Sequence, residues 1–236
     1  MPIGIIINVA AVILGGLAGS VIQSRLPKYL SDNITNILGL CSMCMGISSI
    51  VLMTNMPAVV LSIILGSIIG LSIHLGERIN SGALMMQKMI GGSGNNENSA
   101  LLVTAIVLFC ASGTGIYGSL VSGMSGDHSI LIAKSLLDFC TALIFACTLS
   151  RVVSLIAIPQ GIIMMALFLL AGVIYPLTTP QMINDFKACG GFIMLATGFR
   201  IIKAKDFPIA DMIPAMILVM PLSHLWSTYI LPLVSG

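Results

Sequence analysis

A lysine and an aspartate four residues apart lie inside a long apolar stretch, where charged groups are costly. At this spacing Lys134 and Asp138 share one face of a helix. A rise of about 1.5 Å per residue puts Asp138 on the order of 12 Å into a membrane span that begins near Ser129. A charge at that depth costs about 2.5–3.5 kcal/mol on insertion scales. The pair predicts an ion, proton or anionic-substrate site. The alternative is an ion pair that holds helices together, with Lys134 reaching the outer interface.

Hydroxyl and glycine residues in the preceding apolar stretch are the next candidates. Ser112 and Thr114 begin the run Ser112–Ser119, whose composition weakens a helix and favours local unwinding. Unwound backbone at membrane depth offers amides and carbonyls to ions or carboxylates. Close helix packing through small residues is the alternative.

Three more polar residues extend the candidate site. Asn8 and Gln160 lie within predicted spans, where each could bind a solute or simply hydrogen-bond a neighbouring helix. Asp127 stands at the outer entrance to the helix that carries Lys134 and Asp138. We expect these side chains to contribute to a substrate- or ion-binding site.

Composition indicates which solvent surrounds these residues. Of 236 residues, 57% are hydrophobic and 8% are charged, and the mean hydropathy is +1.09. Soluble domains carry roughly a quarter charged residues, so lipid is the fitting solvent. Continuous apolar runs of about twenty residues favour spanning helices over barrel strands. The start of the chain has no basic region or cleavage pattern of a signal peptide. A net charge of +2 gives no indication of nucleic-acid binding.

The fold class predicted is an all-α integral membrane protein with about eight transmembrane helices. The spans are expected at residues 3–23, 33–54, 58–76, 100–122, 129–150, 157–176, 186–203 and 208–231. Residues 77–99 are expected to form a cytoplasmic linker, with a short interfacial helix at Glu77–Ile90 and a flexible segment at Gly91–Asn96.

Basic residues orient this topology. With eight alternating spans, eight of the ten Lys and Arg fall on one side, and only Lys134 and Lys187 fall at or near the other. By the positive-inside rule both termini face outward, in a bacterial cytoplasmic membrane.

A weak internal repeat appears at an offset of about 152 residues. Gly39 and Gly46 match Gly191 and Gly198, and Asn8 matches Gln160. The single polytopic domain 1–236 would then comprise a first repeat (1–76), a central helix pair (100–150) and a second repeat (157–231). Repeats separated in this way insert in opposite directions, as in many secondary transporters. Chance matching of apolar, glycine-rich sequence is the alternative.

Other chemistry finds little support. The six cysteines lie in apolar runs, the three histidines form no ligand pattern, and no nucleotide-binding or HExxH motif occurs. We therefore expect no enzymatic activity and no cofactor beyond a coupling proton or Na⁺. Gly15-x-x-x-Gly19 and Gly66-x-x-x-Gly70 fit close helix contacts, within the chain or in a homo-oligomer.

Several motifs together carry a family resemblance. They are Gly4–Asn8, Leu14–Gly19, Gly76-Glu77, Phe109–Gly113, Gly126–Leu131, Lys134-Ser135, Asp138 and Gln160-Gly161. In this order the chain resembles the YqgA-type bacterial membrane proteins, domain-of-unknown-function family 554. The resemblance implies a membrane protein with a possible transport role and supplies no substrate. Ser112 departs from the glycine expected there.

The function expected is secondary transport of a small polar or anionic solute, coupled to H⁺ or Na⁺. Asp138 would bind the coupling ion, and Lys134 would pair with it or hold an anionic group. A passive channel, or a non-transporting scaffold or sensor subunit, is the alternative.

Overall fold

The computed structural model describes residues 1–22, 27–90, 102, 105–106, 108–110 and 112–235. Every regular element in this part of the chain is helical. In chain order the helices are α1 Ile3–Ile22, α2 Lys28–Ile50, α3 Met56–Ser72, α4 Leu75–Ile90, α5 Gly113–Ser125, α6 Ser129–Leu149, α7 Val152–Leu155, α8 Ala157–Ile174, α9 Pro180–Ile201, α10 Pro214–Leu225 and α11 Leu231–Ser235. Short 3-10 turns occupy Tyr175–Leu177 and Ile209–Met212, and Trp226–Ile230 forms a π-helical turn.

Five helices in the described residues are long and apolar enough to cross a membrane. They are Ile3–Ile22, Asp32–Ile50, Ser129–Leu149, Val152–Ile174 and Ile209–Leu233. The pair Met56–Ser72 and Leu75–Gly82 passes the same test as one span bent by 61°. Five predicted spans coincide with the five straight helices. The chain is therefore an all-α protein with the helices of a membrane protein.

The chain divides into two compact units. Unit 1 comprises Met1–Leu38 and Glu77–Tyr175, and unit 2 comprises Gly39–Gly76 and Pro176–Gly236. Each unit therefore combines segments from both halves of the sequence. Helix α2 is divided between them.

In unit 1, helix α1 packs closely along α6. A methyl group on Gly15 would overlap the backbone of Phe139, and one on Gly19 would overlap the carbonyl of Leu143. From the first contact to the second, the residue number rises by four on both helices, so the two helices run parallel. Only glycine permits this approach, and it brings Asn8 of α1 beside the polar face of α6. A buried apolar cluster, with Val12, Ala142, Ala146, Val153 and Ile156 among its members, lies towards the other end of the pair.

In unit 2, two antiparallel helix pairs meet through small residues. Gly46 of α2 lies against Gly191 of α9, and Gly39 lies against Gly198. In the second pair, Gly66 of α3 lies against Ala215 of α10. Small residues let helix backbones approach closely where lipid supplies no hydrophobic drive.

Several predicted boundaries are wrong. Helix α2 begins at Lys28, before its apolar span at Asp32–Ile50, which ends earlier than the predicted residue 54, and α9 begins at Pro180 rather than near 186. The side chain of Thr179 caps α9 by accepting from the N–H of Met182 at 3.3 Å, and Pro180 takes the first helical position. Helix α3 ends at Ser72, and the chain turns at His74, whose φ is 51°.

The predicted span 100–122 is broken rather than continuous. Residues 108–110 are helical, Ser112 is extended with φ −67° and ψ 125°, and α5 then runs from Gly113 to Ser125. Local unwinding across Ser112–Ser119 is one of the two interpretations given above, beside close helix packing, and the helix is intact from Gly113 onwards. The prediction is correct for Ser112 only, because its side chain caps the helix that follows. The predicted helix Glu77–Ile90 is present as α4. The linker Gly91–Asn96 lies outside the described residues.

Candidate functional site

The core of the site is an ion pair on α6. The Nζ of Lys134 donates to both carboxylate oxygens of Asp138, at 2.7 Å to Oδ1 and 2.5 Å to Oδ2. Lys134 is 2% exposed and Asp138 is 7% exposed. Asp138 is nine residues into α6, about 13 Å along its axis. The two charges therefore neutralise each other deep in a long apolar helix.

Two amide side chains from other helices complete the cluster. The Nδ2 of Asn8 on α1 donates to Oδ2 of Asp138 at 2.9 Å. The Nε2 of Gln160 on α8 donates to the same oxygen at 3.0 Å and to Oδ1 of Asn8 at 2.8 Å. Both amides are fully buried. The four predicted residues thus form one hydrogen-bonded network, which we call the 8/134/138/160 cluster.

One polar atom of this cluster is left over. The Oε1 of Gln160 is buried and has no hydrogen-bond partner among the described residues. A buried carbonyl without a donor costs free energy on the order of 1–3 kcal/mol. Because Nε2 is held by Asn8 and Asp138, Oε1 lies on the opposite edge of the amide and faces away from them. The cluster therefore keeps one acceptor open.

The first turn of α5 lies next to Lys134. A methyl group on Gly115 would stand 3.0 Å from Cε of Lys134, so glycine leaves room for the lysine stem. The Oγ of Ser112 caps this turn weakly, accepting from the N–H of Gly115 at 3.4 Å. Thr114 is buried in the same turn. Both hydroxyl candidates thus belong to the helix end beside the ion pair, although neither bonds directly to a residue of the cluster.

Asp127 does not join the cluster. Its Oδ1 accepts from the N–H of Ser129 at 2.9 Å, which fixes the turn that leads into α6. Asp127 precedes Asp138 by eleven residues, which corresponds to about 16 Å at the helical rise. Leu131, which is fully buried, lies on α6 between these two carboxylates.

Unit 2 contains a second buried carboxylate, which the sequence did not predict to be functional. Oδ1 of Asp185 accepts from the backbone N–H groups of Thr54 and Asn55, each at 2.8 Å. Oδ2 accepts from Nδ2 of Asn55 at 2.9 Å and from Oγ of Ser223 at 2.6 Å. Asp185 is fully buried and caps the start of α3. Its four acceptor positions are filled, so it ties α3, α9 and α10 together.

Another carboxylate marks the opposite end of α3. Oδ1 of Asp211 accepts from the backbone N–H of Gly76 at 2.8 Å, in the first turn of α4. A carboxylate near a helix N-terminus is favoured by the helix dipole. Both ends of α3 are therefore joined to the last third of the chain. Within the described residues no group of three or more His, Cys, Asp or Glu could hold a metal ion.

Comparison with known proteins gives this architecture a family. Residues 3–224 match the family described as "Protein of unknown function (DUF554)". The chain belongs to DUF554. The match spans both units and includes all four residues of the 8/134/138/160 cluster.

Two curated relatives are similar to the chain over nearly its whole length. The "Uncharacterized protein YqgA" of Escherichia coli (strain K12) is 46% identical over 233 residues, covering 97% of this chain and 99% of the relative. The "Uncharacterized membrane protein YdfK" of Bacillus subtilis (strain 168) is 23% identical over 221 residues, covering 91% and 93%. No solved structure matches the chain significantly. The candidate spans and the name of the second relative both point to a membrane location for this DUF554 member.

Proposed function

We propose that the protein is a secondary transporter of the bacterial cytoplasmic membrane that moves a small polar or anionic solute with H⁺ or Na⁺. Asp138 binds the coupling ion, and Lys134, Asn8 and Gln160 position the Asp138 carboxylate beside the solute. The observation that carries the proposal is the 8/134/138/160 cluster. It concentrates an ion pair and two amides from three helices in the buried interior of unit 1.

The energetic cost of this cluster favours a role in binding over a role in packing. An ionised residue near the centre of a spanning helix costs about 2.5–3.5 kcal/mol, and apolar side chains would pack there without this penalty. A purely structural network should also satisfy all of its own polar atoms. Gln160 instead leaves Oε1 open. A group that takes part in binding and release needs such an unfilled position.

An inverted repeat supplies the conformational element of the proposal. Asn8 and Gln160, equivalent at the offset of 152, are hydrogen-bonded to each other. Residues that meet their own equivalents are expected at a two-fold axis between inverted repeats. The polar cluster would then stand where the two repeats exchange roles during alternating access.

A second helix pair supports the same offset within unit 2. Oγ of Ser42 on α2 donates to the backbone carbonyl of Met194 on α9 at 3.1 Å, again across 152 residues. Each of the two flanking glycines contacts the residue that this offset relates to the other. Gly46 meets Gly191, the equivalent of Gly39, and Gly39 meets Gly198, the equivalent of Gly46. Chance similarity of apolar sequence does not by itself bring equivalent positions into contact in two separate helix pairs.

Eight alternating spans fit the helix directions within each unit. In unit 1, α1 runs parallel to α6, and α8 runs antiparallel to both. In unit 2, α2 runs antiparallel to α9, and α3 runs antiparallel to α10. This pattern requires α9 to cross the membrane although it is less apolar than the five candidate spans. Its 22 residues reach about 33 Å, which is enough to span. Both termini then face outward.

Burial favours a transporter over a permanently open channel. A channel lined by the cluster would keep its polar atoms in contact with water. In unit 1 the four residues are instead 0 to 7% exposed. A site closed in one conformation and opened in others is the condition for coupling solute to ion movement.

Gradient-driven uptake tests the proposal. Purified protein is screened by thermal shift against Na⁺ and small polar solutes, and hits are assayed for uptake into proteoliposomes with an imposed Na⁺ or proton gradient. Uptake is expected in the native protein and in Asp206→Asn, whose side chain is 80% exposed. Asp138→Asn should lose gradient-driven uptake while keeping the native elution volume. Unchanged uptake in Asp138→Asn would remove Asp138 from the mechanism.

A further inference from the structure

The surroundings of Lys134 identify which kind of solute the site would take. Three features converge there: the lysine ammonium, the N-terminal turn of α5, and the open carbonyl of Gln160. The first two attract negative charge, and the third requires a hydrogen-bond donor. We infer that the solute is a small carboxylate that carries a hydroxyl or ammonium group on the neighbouring carbon. This inference rests on the transport function proposed above.

The anion-attracting part is built by the break at Ser112. Because the helix restarts at Gly113, the first N–H groups of α5 have no partner carbonyl within α5 itself. The Oγ of Ser112 reaches only Gly115, at 3.4 Å. The positive end of the α5 dipole therefore lies at Gly115, next to Cε of Lys134. Two positive elements side by side repel each other unless an anion lies between them.

In this structure Asp138 supplies that anion. Its carboxylate accepts two hydrogen bonds from Lys134 and one from each amide. A carboxylate ligand would accept the same hydrogen bonds. A solute carboxylate entering beside α5 competes with Asp138 for Lys134. Once Lys134 turns to the solute, Asp138 is free to bind the coupling ion. The exchange of partners by Lys134 thus links solute binding to ion binding.

The donor requirement comes from Gln160 and is an independent observation. Helices α5 and α8 run parallel, because α5 is antiparallel to α6, and α6 is antiparallel to α8. Gly123 of α5 lies against Phe168 of α8. Counting back eight residues on each helix, from 123 to 115 and from 168 to 160, brings Gly115 level with Gln160. The open Oε1 is therefore near the depth of the α5 N-terminus, where a hydroxyl or ammonium group of the solute would donate to it.

Lys134 and Gln160 are close neighbours in the cluster. Both donate to Oδ2 of Asp138, so the ammonium and the amide lie side by side around one oxygen. A solute carboxylate that replaces Asp138 as the partner of Lys134 would therefore lie beside the Gln160 amide as well, which favours a small molecule.

Binding of four small probes tests the inference without any transport assay. Lactate, alanine, propionate and lactamide are titrated by calorimetry against the purified full chain in detergent micelles. Lactate or alanine should bind on the order of 10-fold more tightly than propionate, which lacks the donor, and than lactamide, which lacks the charge. Equal binding of propionate or lactamide, or no binding of any probe at millimolar concentration, would overturn the inference.

Two variants with matched controls separate the contributions. Gln160→Met should bring the affinities for lactate and propionate to within about 2-fold of each other, whereas exposed Gln181→Met should keep the difference. Lys134→Met should lose binding of all carboxylates, whereas exposed Lys205→Met should not. A preserved lactate preference in Gln160→Met contradicts the donor role whatever the fate of the lysine variant.

The outcomes also distinguish this inference from the proposed function. If no probe binds while another solute shows Asp138-dependent uptake, the solute class is wrong and the transport function stands. If lactate binds with the expected selectivity but Asp138→Asn leaves ion-driven uptake unchanged, the anion site stands and the coupling role of Asp138 fails.

Discussion

Asn8 and Gln160 are 152 residues apart in sequence and joined by a direct hydrogen bond of 2.8 Å between fully buried side chains. Both also donate to Oδ2 of Asp138. The carboxylate therefore ties the first helix of the chain to α8 through two amides. Any motion of α1 against α8 must break or exchange these bonds. An ion or solute that bound Asp138 would therefore change the contacts between α1 and α8.

Removing one partner of the buried ion pair should destabilise the protein more than removing both. Lys134→Met leaves an unpaired carboxylate, and Asp138→Leu leaves an unpaired ammonium, each costing about 3–5 kcal/mol. The double variant leaves neither charge buried and should cost less than either single variant. Unfolding free energies in detergent with denaturant measure this cycle. Additive losses would mean that the two side chains do not interact in the folded protein.

Asp185 should matter for stability although it lies outside the proposed site. Asp185→Asn places an amide N–H₂ against the donors of Asn55 and Ser223, and we expect a loss of about 1–3 kcal/mol. Asp206→Asn, at an exposed position, should change the unfolding free energy by less than about 0.5 kcal/mol. Chemical denaturation of the two variants in parallel gives the comparison. Equal effects would show that the cap on α3 contributes nothing.

The close approach of α2 and α9 should tolerate no side chain at Gly46. A methyl group there would stand 2.7 Å from the carbonyl oxygen of Gly191 and 2.8 Å from the backbone nitrogen of Leu195, and backbone atoms cannot move aside easily. We expect Gly46→Ala to lower the unfolding free energy by about 1–3 kcal/mol. Gly172→Ala is the control, since no atom lies within 4 Å of its added methyl group. A native melting temperature for Gly46→Ala would contradict this packing.

Reporter fusions test the orientation of the chain. A green fluorescent protein fused after Lys205 should fluoresce, because the basic segment before it is expected on the cytoplasmic side. The same reporter fused at the C-terminus should stay dark, while alkaline phosphatase at that position should be active. Fluorescence of the C-terminal fusion would place that end inside and exclude eight alternating spans with outward termini.

The free-energy cost of placing polar groups inside a membrane made the residues of the candidate site predictable from the sequence. Lys134, Asp138, Asn8 and Gln160 stand out because each places a polar group inside an apolar run, and the structure brings all four together. Asp185 gave no such signal. It lies just outside the predicted span 186–203, where polar residues are ordinary. Its role depends on the backbone of Thr54 and Asn55, which is distant in sequence.

Helix ends were less predictable than helix interiors, for a physical reason. Hydropathy detects lipid-facing length, so the predicted span 33–54 omits the polar beginning of α2, which includes Lys28, Ser31 and Asp32. Thr179-Pro180 falls between the predicted spans 157–176 and 186–203, although this pair caps and starts a helix. The division into two units that mix both halves of the chain depends on tertiary contacts, which single-sequence patterns do not contain.

Charge movement on ion binding tests the central claim without knowledge of the solute. Proteoliposomes adsorbed on a solid-supported membrane receive a rapid Na⁺ or proton concentration jump, and the transient current is recorded. If Asp138 binds the coupling ion within the membrane, one of the two jumps should give a transient in the native protein and in Asp206→Asn, and none in folded Asp138→Asn. An equal transient in Asp138→Asn, or no transient for either ion in the native protein, would contradict the account.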